Sequence, residues 1–148
     1  MTENTFVALC QLIGTKDRMI SFITSLDEII INQSQSPILA LGDDLFTHDE
    51  FVFIKNLVKD YNDLKALRKQ VFEVPVFSLQ IPIIPTNQFT KKILSQLQAK
   101  IAEPFFLSIT TNPGIIGGCI IEYRGMYTDN SLKRSINQWQ KGVQRNGR

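Results

Sequence analysis

Between Asn112 and Glu122 the chain reads Asn-Pro-Gly-Ile-Ile-Gly-Gly-Cys-Ile-Ile-Glu, and few folds accommodate that order. Asn112-Pro113-Gly114 is a tight turn, of the residue types that turns favour. Gly117 and Gly118 open a strand from Gly118 to Tyr123, with Cys119, Ile121 and Tyr123 on one face and Ile120 and Glu122 on the other. The glycine pair is expected to let another backbone or helix lie close to the sheet, or to form a bulge. Arg124-Gly125 then turns the chain, and Met126-Tyr127-Thr128 pairs back as a short last strand. Asp129 or Asn130 caps a final helix that passes through Ser131, with apolar residues Leu132, Ile136, Trp139 and Val143 at helical steps.

The strand preceding this run follows from a change of period. Val71, Phe72, Val74, Val76 and Phe77 are β-branched or aromatic and predict a strand, with Pro75 placing it at an edge or bulge. A helix over Phe89 to about Ala102, capped by Thr86 or Asn87, separates it from a second strand over Phe105 to Thr110. Strand, helix and strand with short links predict a right-handed βαβ unit with parallel strands. The strand after the Asn112 turn runs antiparallel.

Residues 5 to 69 carry helical spacing. Phe6, Leu9, Cys10 and Ile13 predict a first helix closed by Gly14, and Met19, Phe22, Ile23, Leu26 and Ile29 the apolar face of a second. Pro37 to Leu41 reads as a further helical turn or two. Thr47-His48-Asp49-Glu50 has capping-box spacing, Phe46 and Phe51 are placed as a hydrophobic staple, and the stripe from Phe51 to Leu67 predicts one helix ending near Lys69. The expected fold class is therefore α+β. A small helical bundle over residues 1–70 precedes a βαββα module with a small mixed sheet over residues 71–148.

The chemistry available to the chain is limited. It has 148 residues, 43% apolar and 20% charged, which suits one globular domain or two small ones. No stretch approaches the roughly 18 to 20 apolar residues of a membrane span, and the N-terminus lacks a basic signal-peptide start, so the chain is expected to work in the compartment where it is made. Cys10 and Cys119 belong to no metal-ligand or disulfide pattern, and His48 is the single histidine, so catalytic, cofactor and metal sites are all expected to be lacking. The segment from Gly114 to Gly118 lacks the lysine and hydroxyl residue of a phosphate loop and precedes a strand. Cys119 as the nucleophile of a small thiol enzyme has no base within reach, and a strand thiol is the simpler reading.

Charge divides unevenly along the chain. Residues 1–74 hold 7 basic and 11 acidic side chains, and residues 75–148 hold 9 and 3. That split suits two segments facing different partners, or each other. The basic C-terminal residues, among them Lys133, Arg134 and Arg145, lack the aromatic interleaving of a single-strand binder, so nucleic acid is not an expected partner.

The ordered set Asn112-Pro113-Gly114-Ile115-Ile116-Gly117-Gly118 and Asp129-Asn130-Ser131-Leu132-Lys133-Arg134 resembles the C-terminal module of the delta subunit of F-type ATP synthases, the oligomycin-sensitivity-conferring protein family. The resemblance covers about Val71 to Val143. Members of that family have a longer N-terminal bundle of six helices, which this chain would carry in shortened form. More weakly, the Gly-Gly-Cys segment and its hairpin are similar to stator proteins of export, motility-associated and V-type ATPases. The resemblance implies a non-catalytic peripheral-stalk subunit, lying on the cytoplasmic or mitochondrial matrix side of a membrane without entering it. It would join the α/β catalytic head, through N-terminal helices offering Phe6, Leu9, Ile13 and Phe22, to stalk subunit b, through a module offering Ile136 and Trp139. Asn112, Pro113, Gly114, Gly117, Gly118, Asp129 and Ser131 would be its structural motif.

Overall fold

A computed structural model describes residues 3–32, 45–132 and 134–137. The helical turn expected over Pro37 to Leu41, and Trp139 and Val143 of the expected last helix, lie outside the described residues. The chain divides into two compact units, Met1–Pro75 with Lys100–Phe106, and Val76–Ala99 with Leu107–Arg148.

The first unit is helical: α1 (Glu3–Ile13), α2 (Lys16–Asn32), α3 (His48–Leu57) and α4 (Tyr61–Glu73). Gly14, at φ 67°, ends α1, and its amide donates to the Cys10 carbonyl at 2.9 Å. That is the left-handed stop the glycine was expected to supply. α1 packs on α2 and α3, and α2 packs on α4. Leu9, Cys10, Ile13, Phe22, Leu26, Ile54, Leu64, Leu67 and Val71 form the core, with Phe106 completing it. Phe46 is buried there and meets Phe22 edge to face, ring centres 5.4 Å apart.

Two expectations fail in this unit, each for a local reason. The single helix from Phe51 to Lys69 is two helices. Val58 leaves helical geometry at φ −111°, and the Asp60 carboxylate accepts the amides of Asn62 at 2.8 Å and Asp63 at 2.9 Å, starting α4 afresh. Asp63 in turn accepts the Lys59 amide at 2.8 Å. These side chains offer the backbone an alternative to continued helix, and the apolar stripe running through the break concealed it. The strand expected from Val71 begins only at Val76. Val71 instead extends the three- and four-residue spacing of Leu64 and Leu67 into the core, overriding its strand propensity, and Pro75 stops the helix.

The second unit holds β1 (Val76–Ile81), α5 (Asn87–Gln98), β2 (Phe106–Thr111, entered from the first unit), β3 (Ile120–Tyr123) and β4 (Met126–Asp129). The strand order is β2-β1-β3-β4. The Phe106 amide donates to the Pro75 carbonyl at 3.0 Å and the Asn112 amide to the Ile81 carbonyl at 2.8 Å, six residues on in both strands, so β2 runs parallel to β1. β3 is antiparallel, as expected, but it pairs with β1, Leu79 opposite Ile121. β4 pairs with β3, Tyr123 opposite Met126. The fold is α+β with a small mixed sheet. α5 starts at Thr86, whose hydroxyl accepts the Phe89 amide at 3.2 Å, and none of its residues is fully buried.

One face of the sheet is apolar. β1 alternates, with Phe77, Leu79 and Ile81 buried. Their face continues through Ile121 and Tyr123, and the Tyr123 ring lies 5.5 Å from that of Phe77. Glu122 is exposed on the other face, so the expected alternation of β3 holds.

Candidate functional site

The segment from Asn112 to Arg134 is a clasp of backbone hydrogen bonds around the two glycines. Asn112 begins it: besides its bond to Ile81, its side-chain amide donates to Gln80 Oε1 at 3.0 Å, and its own Oδ1 accepts the Gly114 amide at 3.0 Å. The Asx turn this makes is closed by the Ile115 amide, which donates to the Asn112 carbonyl at 3.1 Å, and Ile115 is buried.

Gly117 and Gly118 follow at φ 61° and 77°, a backbone region that side chains strain to occupy. A Cβ on Gly118 would stand 2.2 Å from the Asn130 carbonyl oxygen, and one on Gly117 would stand 2.6 Å from Leu132 Cδ1. The glycines therefore admit the returning chain. The Asn130 amide donates to the Cys119 carbonyl at 2.9 Å, and the Leu132 amide to the Ile116 carbonyl at 3.0 Å. Asp129 Oδ1 accepts the Ser131 amide at 2.9 Å, buried Ser131 accepts the Arg134 amide through its hydroxyl at 3.4 Å, and the Arg134 guanidinium donates to the Asp129 carbonyl at 3.1 Å. Helical residues follow over 132 and 134–137. Between the arms of the clasp, Arg124 at φ 51° and Gly125 at φ 77° make the two-residue hairpin turn.

The structure places the remaining site residues on different footings. Leu9, Ile13 and Phe22 are sealed in the helical core, and Phe6 is half-buried against it. The exposed large apolar side chains of the same two helices, among the described residues, are Leu12, Ile20 and Ile31. Ile136 is exposed, as are Ile116 and Leu132, which the spacing of the sequence did not mark as a surface. Alternation around the glycine pair, Ile115 in and Ile116 out, is the signal that would have found Ile116.

A second cluster went unread. Glu50 is buried, and its carboxylate serves three donors: the Thr47 amide at 2.8 Å, Arg18 Nε at 2.9 Å and Arg18 Nη2. The capping box is therefore also the acceptor of a bidentate ion pair that ties the first turn of α2 to that of α3. Asp27 and Arg68 make a more exposed bidentate pair between α2 and α4, with Nη2 to Oδ2 at 3.0 Å, and the Asp27 carboxylate raises the Arg68 pKa.

The thiols differ as well. Burial pushes the Cys10 pKa up to about 12, while Cys119 is only partly covered. Among the described residues no group of three His, Cys, Asp or Glu side chains could hold a metal ion. No helix among them is long and apolar enough to cross a membrane.

The family model of the ATP synthase delta (OSCP) subunit matches residues 15–143, running through both units, and the chain belongs to that family. It is thus of the class of structural, peripheral-stalk subunits of ATP synthase. No individual curated protein matches it.

Proposed function

We propose that this chain is a non-catalytic stator link: its helical unit holds the α/β catalytic head of an F-type ATP synthase and its sheet unit holds stalk subunit b. On this reading it works on the cytoplasmic or matrix side of the membrane, with no cofactor. The observation that carries the proposal is the family match across both units, joined to a clasp built from backbone contacts. A joint that resists rotor torque needs stiff packing. A two-glycine crossing, in which chain lies directly on chain, supplies that stiffness.

Co-purification tests the link. The tagged chain, expressed beside the other synthase subunits, should co-migrate with both the head and subunit b, and a chain recovered alone would overturn the reading. The head contact is separable from the b contact. Deleting residues 1–32 would remove Leu9, Phe22 and Leu26 from the core, so charge placed at exposed Leu12 or Ile20 is the sharper probe of the helical unit. For the sheet unit, Trp139→Ala should weaken the association with b more than it lowers the melting temperature. A folded Trp139→Ala protein with normal affinity would move the b contact elsewhere on the unit.

A further inference from the structure

The division of the chain into units does not follow its order. The helical unit takes in Lys100–Phe106 besides Met1–Pro75, and the sheet unit is Val76–Ala99 with Leu107–Arg148, so the backbone passes between them after Pro75, after Ala99 and after Phe106. β1 and α5 are thus an excursion out of the helical unit, and Lys100–Phe106 is an excursion out of the sheet unit. Domains joined by one exposed linker fold and open separately. Here three passages join the units.

Phe106 is where the excursions are fastened. It is the first residue of β2, yet its side chain is fully buried in the core that Leu9, Phe22, Leu26, Ile54 and Leu67 form. Phe105 and Leu107 on either side of it are buried as well. The Phe106 amide donates to the Pro75 carbonyl at 3.0 Å, so the backbone enters β2 beside the point at which it enters β1. Loss of the sheet would turn residues 76–99 into an open loop whose ends the helical unit must still hold together, at a cost in chain entropy. Loss of the helical core would free Phe106 and with it the start of β2, the strand that flanks β1. Either unit, once open, weakens the other.

We propose that the two units open together, as one cooperative folding unit, because the chain is threaded back and forth between them and pinned at Phe106. The coupling follows from connectivity and the burial of one side chain, so it requires no particular arrangement of the units in space. Under the stator reading above it has a use: a load taken up by one unit passes to the other through the paired entries of β1 and β2 instead of one extended peptide, and the link does not fail by separate opening of its weaker half. Only this use rests on that reading; the coupling does not.

Native-state hydrogen exchange on the full chain, without partners, reads the two units separately. Two mild core changes are compared, Ile54→Val in α3 and Ile81→Val in β1, both at buried positions. Each variant should speed the slowest amides of the other unit by the same factor as those of its own, about two- to tenfold. Phe106→Ala should speed both sets on the order of a hundredfold, whereas Phe72→Ala, at an exposed position of α4, should leave both within about twofold of the wild type. Amides of the mutated unit sped more than those of the other unit, for either isoleucine variant, would overturn the coupling. Equal acceleration in both units, but with Phe106→Ala no stronger than Phe72→Ala, would remove Phe106 as the pin and overturn the proposal. If Phe106→Ala does not fold, Phe106→Leu takes its place, with a smaller acceleration expected in both units. No head or stalk subunit is present in these measurements, so they can fail while the stator reading stands, and co-purification can fail while the coupling stands.

Discussion

Arg18 holds both carboxylate oxygens of Glu50, although the two residues stand 32 positions apart and Glu50 is already engaged in capping its own helix. The pair couples a local signal to a tertiary contact: the same carboxylate starts α3 and fastens it to α2. Removing Glu50 leaves the Thr47 amide and a partly buried guanidinium without their acceptor. Glu50→Ala should cost about 2 to 4 kcal/mol in chemical denaturation. A double-mutant cycle with Arg18→Ala should return a coupling of about 1.5 to 3 kcal/mol. A coupling near zero would show that the pair contributes nothing beyond the cap.

The Asp27–Arg68 pair is the natural contrast. Both side chains are more than a third exposed, at 41% for Arg68 and 37% for Asp27, so solvent screens them. Their coupling in the same type of cycle should be no more than about 1 kcal/mol and should shrink in salt, while that of Arg18 and Glu50 persists.

The glycine clasp predicts a difference between two alanine substitutions at nearly the same backbone geometry. Gly118 and Gly125 share φ 77°, but a Cβ at Gly125 meets nothing within 4 Å, whereas at Gly118 it runs into the Asn130 backbone. Gly125→Ala should cost about 1 to 2 kcal/mol, from left-handed strain alone. Gly118→Ala should cost about 1 to 3 kcal/mol more, because backbone must move. Equal melting temperatures for the two variants would refute the close crossing.

Cys10 predicts a pH dependence with a definite sign. Its thiol titrates at about 12 in the folded chain against 9.0 for the ordinary group. The unfolded chain therefore loses its proton first as pH rises. The contribution is fully present below about pH 9 and declines at roughly 1.4 kcal/mol per pH unit towards 12. Cys10→Ala should be less stable than the wild type at neutral pH, by about 1 to 2 kcal/mol for the cavity, and the gap should narrow or reverse above pH 9. Parallel stability curves from pH 8 to 11 would contradict the burial of this thiol. Thiol alkylation of the native protein should modify Cys119 well before Cys10.

Much of the clasp was legible in the sequence because its signals act over a few residues. Asn112-Pro113-Gly114, the paired glycines, Arg124-Gly125 and Asp129-x-Ser131 each satisfy backbone groups within reach of their own side chains or set a dihedral sign. Thr47 with Glu50, and Thr86 at α5, are of the same kind. These local chemistries also carry the family resemblance, and the family match agrees with it.

Only the tertiary structure decided what meets what. The choice of β1 as the partner of β3 and the reach of Arg18 to Glu50 both depend on surfaces brought together from distant parts of the chain. Periodicity shows that Leu9, Phe22, Leu132 and Ile136 belong to apolar faces. It does not show that the first two are sealed within the helical unit while the last two look outward, because burial is set by the neighbour an apolar face finds, and apolar side chains carry no local mark of that neighbour.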